Sequence, residues 1–215
     1  MSDFFAVYGA KLVQAIGVHL LYVAVSVTIG FALGLVFGVL LSRVPRWSTV
    51  LIPVISIFQT VPGLVFMGVL FIYMGMRHAT AAVIIALSIY AMFPVLKNTY
   101  TGILSVESKY VEAARGCGMS PFQTLCRVEL PLSMPTIIAG LRMAAIYTVS
   151  WAVLAAMIGK GGLGDFVYQG VNSNNNTLII AGAIPAAILA ILIGALIDLL
   201  QKKVTPRGLQ KEVGK

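Results

Sequence analysis

Five apolar runs, none with alternating polarity, dominate this chain and leave it few ways to fold. They extend from Val18 to Leu41, Val50 to Gly75, Ala79 to Leu96, Pro135 to Ile158 and Leu178 to Leu200. About twenty residues of helix cross a hydrocarbon core about 30 Å thick, so each run is close to one membrane span. Backbone amides and carbonyls left unpaired in lipid cost several kcal/mol each, and continuous rather than alternating runs exclude barrel strands. The reading is therefore an all-α polytopic membrane protein with about five transmembrane helices. The composition agrees: 59% of the 215 residues are hydrophobic and 10% charged, more apolar surface than a soluble domain of this length buries.

Five spans place the termini on opposite sides, and the basic residues choose which. With the amino terminus outside, Arg43, Arg46, Lys97, Lys109, Arg115, Arg127, Arg142, Lys202, Lys203, Arg207, Lys211 and Lys215 fall on the cytosolic side, against Lys11, Arg77 and Lys160 outside. That bias is the positive-inside pattern. The net charge of +8 then reflects topology and anionic lipid rather than nucleic acid. A single domain over residues 1–215 is expected: an external segment 1–17, a cytosolic insert 97–134, an external gate loop 159–177 and a cytosolic tail 202–215. The amino terminus has no cleavable signal pattern, and residues 4–16 are expected at the outer interface. Cys117 and Cys126 lie in the insert, where thiols stay reduced, and their spacing fits neither a zinc nor a redox motif.

Local patterns refine this picture. Gly30, Gly34 and Gly38 put a small residue at every fourth position of the first span, a stripe that lets another helix approach closely. Pro53 and Pro62 flank Gln59-Thr60 in the second span, where lost hydrogen bonds predict a kinked segment facing protein or water. In the insert, Ser108 to Arg115 reads as a short helix halted by Gly116 and Gly118. Ser120, Pro121 and Gln123 then start a second helix through a capping box, which Pro131 is expected to stop by Leu130. Two helices hinged at glycine form an elbow that transmits force. After the fourth span, Gly159-Lys160-Gly161-Gly162-Leu163-Gly164-Asp165 lacks the spacing of a phosphate loop and reads as a helix stop followed by a gate helix.

Catalytic chemistry is not visible. No metal-ligand cluster, nucleophile elbow, paired carboxylates or nucleotide fingerprint occurs, and His19 and His78 fall at external span edges. The spans hold almost no ionisable groups of the kind ion-driven carriers use; Arg142 and Asp198 are the main ones, within reach of a mutual salt bridge. Energy is therefore expected from outside the chain, through the elbow. A gradient-driven carrier and a membrane scaffold are the weaker alternatives.

Glu112-Ala113-Ala114, Gly118 and Leu130-Pro131 resemble the E-A-A-x-x-x-G-x(9)-I-x-L-P signature of membrane subunits of bacterial type I ATP-binding-cassette importers, with Val128 in place of isoleucine. The resemblance implies that fold, and an insert whose Glu112, Ala113, Ala114, Gly118, Leu130 and Pro131 dock on a cytosolic ATPase. It implies as partners two ATPase subunits carrying ATP and Mg, a second permease subunit, identical or homologous, and an external substrate-binding protein, with no cofactor on this chain. It also implies a multi-pass protein of the bacterial inner membrane. Phe58 to Pro62, Leu96 to Ile103, Tyr147 with Trp151-Ala152, Gly161 to Asp165 and Thr205 to Gln210 look like permeases for glycine betaine, carnitine and choline; a methionine or other amino-acid permease is the alternative. Aromatic faces hold a quaternary ammonium without a carboxylate. Tyr147 and Trp151, four apart on one helix face, are candidate pathway residues with Gln59 and Pro62, Tyr90 has less support, and Gly161 and Gly162 are candidate gate residues.

Overall fold

A computed structural model describes residues 2–158 and 161–205, with side chains from residue 6 onward. The helices are α1 (Ser2–Arg43), α2 (Pro45–Phe58), α3 (Gly63–Met74), α4 (Ala79–Leu104), α5 (Ser108–Gly116), α6 (Pro121–Thr124), α7 (Leu130–Ala152), α8 (Leu163–Asn172) and α9 (Asn176–Val204). A π turn, Leu125–Glu129, joins α6 to α7, and a 3-10 segment, Val153–Ile158, extends α7. Among the described residues four helical stretches are long and apolar enough to span a membrane. The bent pair of α2 and α3 makes up to five.

The glycine stripe of α1 is consumed inside the chain. A Cβ at Gly34 would lie 2.7 Å from the Met92 carbonyl oxygen, and one at Gly38 would lie 2.6 Å from the Thr99 Cβ. So α1 and α4 touch backbone to backbone, and the stripe is not available for pairing with another permease subunit. Small residues permit this approach, which replaces the hydrophobic driving force that lipid cannot supply. Around this pair, Tyr22, Val23, Met67, Val83, Leu87, Val149 and Ala152 form the main core, where α1, α3, α4 and α7 meet.

The structure extends or changes four expectations. First, residues 4–16 continue α1, whose 42 residues reach about 63 Å, twice a hydrocarbon core. The extra turns are held by burial of Ala15 against Leu163, Phe166 and Leu178, with Tyr8 and Leu12 packed on the same cluster. Second, the second run is not one kinked helix but two, at 88° to each other. The break falls at Pro62 rather than Pro53, which stays inside α2. Third, the insert's second helix does not stop at Leu130. In the π turn the Leu130 amide reaches the Leu125 carbonyl, five residues back, and the helix runs on through Pro131. The widened turn tolerates a ring and a missing amide that a regular turn would not. Fourth, His19 is not exposed: it is fully buried beside Gly162, its Nε2 3.2 Å from the Val149 carbonyl oxygen.

Candidate functional site

The break between α2 and α3 builds the first candidate site. A non-helical stretch inside a span needs substitutes for its lost hydrogen bonds. The Thr60 and Val61 amides donate to Ile57 and Phe58, and the Pro62 carbonyl accepts from Val65 and Phe66. The Val61 carbonyl takes the Tyr90 hydroxyl at 2.5 Å from mid-α4. That bond ties the break to α4 and turns the Tyr90 ring toward α7. Phe58, Phe66, Tyr90 and Phe93 then pack edge to face, with centroids 5.3 to 6.1 Å apart. Trp151 lies tilted on Tyr90 at 5.5 Å. Its indole edge fills the place of a side chain at Gly63, where a Cβ would lie 2.6 Å from Trp151 Cε3.

Beside this cluster opens a cavity of about 490 Å³, lined by Gln59, Leu87, Tyr90, Tyr147, Thr148, Ser150 and Trp151. Every lining side chain is uncharged. Four residues chosen from the sequence thus converge: Gln59 from the end of α2, Tyr90 from α4, and Tyr147 and Trp151 one turn apart on α7. Pro62 caps α3 at the break without lining the cavity. Of the rings that hold Tyr90 in place, Phe58 opens the Phe58 to Pro62 segment noted in the sequence, whereas Phe66 and Phe93 have no sequence pattern that marks them.

Gly161 and Gly162 lie elsewhere. They line a second cavity of about 350 Å³ with Tyr8, Lys11, Gln14, Asp165, Phe166 and Gln169, between the start of α1 and α8. Their φ angles, 72° and 88°, are in the left-handed region that favours glycine, and they turn the chain into α8. Burial pushes the Asp165 carboxyl above its usual range, against a hydrogen bond from the Gly161 backbone that lowers it. The Leu96 to Ile103 segment serves packing: Thr99 is buried against Gly38, Asn98 lies against Gly140, and the Tyr100 hydroxyl reaches Ser48 at 3.1 Å.

The insert forms the second candidate site. Helix α5 ends as glycine-terminated helices do: the Met119 amide bonds the Ala114 carbonyl at 3.1 Å and the Gly118 amide bonds Arg115 at 2.9 Å. Gly118 holds φ 79°, and a Cβ there would meet nothing within 4 Å. Ser120 and Gln123 form the expected capping box, with bonds of 2.9 and 3.3 Å. Glu112 and Ala113 are exposed, Ala114 is buried, and Tyr110 and Phe122 stand exposed on the same arm. Leu130 and Pro131 sit half-buried where the arm joins α7. At that root Arg43, the last residue of α1, forms a two-point ion pair with the buried Glu129, a contact absent from the sequence reading. Arg142 and Asp198 do meet, at 2.8 Å, linking α7 to α9.

The model for the binding-protein-dependent transport system inner membrane component matches residues 30–209. A carnitine transport permease of Listeria monocytogenes is 38% identical over 97% of this chain and 94% of its own length. A glycine betaine/carnitine/choline transport permease of Bacillus subtilis is 38% identical over 99% and 98%. Among solved structures, an inward-facing methionine transporter, MetNI, shares the fold with a TM-score of 0.80 at 24% identity, over 93% of this chain and 98% of that one. An amino acid ATP-binding-cassette transporter aligns with a TM-score of 0.72 at 21% identity, over 93% and 96%. With that match covering most of the sequence, the chain belongs to the binding-protein-dependent transport system inner membrane components, the multi-pass permeases of ATP-binding-cassette importers.

Proposed function

We propose that this permease carries quaternary-amine osmoprotectants inward, through a route that includes the uncharged aromatic cavity at the α2–α3 break. That cavity is the observation that carries the reading. A quaternary ammonium has no N–H to donate and is attracted to aromatic faces, each worth about 0.5 to 2 kcal/mol depending on desolvation. Tyr90, Tyr147 and Trp151 offer such faces, with Gln59, Thr148 and Ser150 for a polar end of the substrate. The full-length relatives named for carnitine, choline and glycine betaine support the same class. The methionine and amino-acid transporters support the fold alone at their level of identity.

In this reading the amino terminus is outside and the insert cytosolic. Glu112, Ala113 and Gly118 contact an ATPase subunit, which binds ATP and Mg and does the hydrolysis; Ala114, expected from the sequence at the same contact, is buried and instead seats α5 on the arm, while Leu130 and Pro131 carry the motion into α7. A second permease subunit completes the route, an external binding protein delivers the substrate, and Gly161 and Gly162 set the hinge of gate helix α8. The test is uptake into proteoliposomes containing the permease, its ATPase and its binding protein. Labelled choline, carnitine or glycine betaine accumulates with ATP and methionine does not; accumulation of methionine alone would overturn the assignment.

The coupling role has its own test. Valine at position 118 is forced into a left-handed backbone at a cost of about 1 to 2 kcal/mol and adds volume only on the exposed face of the arm. Gly118→Val therefore keeps the chain in the membrane, continues to hydrolyse ATP when mixed with the ATPase, and loses most uptake. Normal uptake per ATP would remove Gly118 from the coupling surface.

A further inference from the structure

We propose that Arg43 and Glu129 are a positioning pair, a strut through which movement of the cytosolic arm reaches the α1–α4 pair as well as α7. This rests on reading the insert as the ATPase contact.

The arm leaves α7 through the π turn. One residue more than a regular turn shifts everything before it by about 100° relative to α7, so this turn sets the direction in which the arm points. Glu129 is the last residue of the turn. Its carbonyl accepts the Ser133 hydroxyl at 2.6 Å, which holds the turn to α7, and its carboxylate is buried and faces Arg43. Both terminal nitrogens of the guanidinium donate, one to each carboxylate oxygen, an arrangement that fixes direction as well as distance. The two residues are 86 apart in sequence and join the end of one span to the base of another.

What lies beyond each end gives the contact its use. On the Glu129 side, α7 carries Tyr147 and Trp151, one wall of the aromatic cavity. On the Arg43 side, α1 is fastened to α4 through Gly30, Gly34 and Gly38, and α4 carries Tyr90, the adjoining wall, whose ring lies against Trp151. Displacement of the arm moves α7 directly. It reaches α4 through apolar packing at Gly102 and Gly140, contacts that can slide, and it reaches the cytosolic end of α1 through a directional polar bond. The Arg43–Glu129 pair is that bond, and it fixes the direction in which the α1–α4 pair follows the root of α7.

The experiment uses the reconstituted transporter with its ATPase and binding protein, comparing wild type with Glu129→Gln, Arg43→Gln, Arg43→Lys and the double glutamine variant. Each variant assembles with the ATPase and turns over ATP, while substrate taken up per ATP falls about fivefold in either glutamine single. The double variant is no worse than the singles, because both remove one contact. Arg43→Lys recovers part of the ratio, since an ammonium keeps the charge and one bond. A structural contact would lower the yield or thermal stability of the complex and leave uptake per ATP unchanged. That result, or additive losses in the double variant, overturns the proposal. If the wild-type permease binds no ATPase, the reading of the insert fails in the control itself and the strut falls with it. If the wild type couples normally and the variants match it, only the strut falls.

Discussion

Gly164→Ala is expected to abolish uptake in a chain that still reaches the membrane. A Cβ at this position would lie 1.9 Å from the Val153 carbonyl oxygen and 2.8 Å from its carbonyl carbon. Both are backbone atoms of the 3-10 segment after α7, so no side-chain rotation relieves the overlap, and α8 has to move as a body. Overpacking of a close-fitted interface costs about 1 to 3 kcal/mol, and more where backbone must give. The displaced helix takes with it Leu163, fully buried, and Phe166, nearly so, together with their contacts to α1 and α9. The turn at Gly161 and Gly162 then no longer seats α8, the gate helix of the proposed function. Uptake in proteoliposomes and the thermal stability of the purified protein both read this effect. Gly17→Ala is the matched control: nothing lies within 4 Å of its Cβ, and alanine in place of an interior helical glycine is favourable by about 0.5 to 1 kcal/mol. Equal behaviour of the two variants would show that α8 has room to shift.

Replacing Trp151 has the second large expected effect, and the two substitutions at this position separate its roles. Trp151→Ala removes one aromatic wall of the cavity and uncovers Gly63 at the span break. Losing one cation–π face weakens apparent substrate affinity by about 2- to 30-fold, the equivalent of 0.5 to 2 kcal/mol. Trp151→Phe keeps a face beside Tyr90 and retains most of that affinity. The measurement is the KM for uptake, normalised to folded protein. If Trp151 only packs against Gly63, both variants reduce the folded fraction and neither changes KM.

Much of this molecule is legible in its sequence, and the reason differs from element to element. The long helices follow from apolar length alone, because lipid offers the backbone no alternative partners. The arm was equally readable: the capping box at Ser120 and the glycine end of α5 depend on contacts within a few residues, and both have the expected hydrogen bonds. Proline gave a mixed result for the same local reason. At Pro62 it marks the real break, but at Pro131 the chain widens into a π turn and continues, a choice that depends on where Glu129 and Ser133 must point. The aromatic residues of the cavity were visible one at a time. Their meeting depends on the 88° bend and on the Tyr90–Val61 hydrogen bond, which span 29 residues of separation.

Residue order alone specifies which segments are helical, how many runs are long enough to cross a bilayer, where the arm is capped, and that glycine faces seek close neighbours. These are properties of local hydrogen bonding and of transfer from water to hydrocarbon. Packing in three dimensions settles that α4 fills the α1 stripe, that Trp151 occupies the space over Gly63, that His19 is buried, and that Arg43 meets Glu129 across 86 positions. Such pairings are settled by the shape complementarity of whole helices, because apolar faces of similar composition are chemically interchangeable until their side chains interlock.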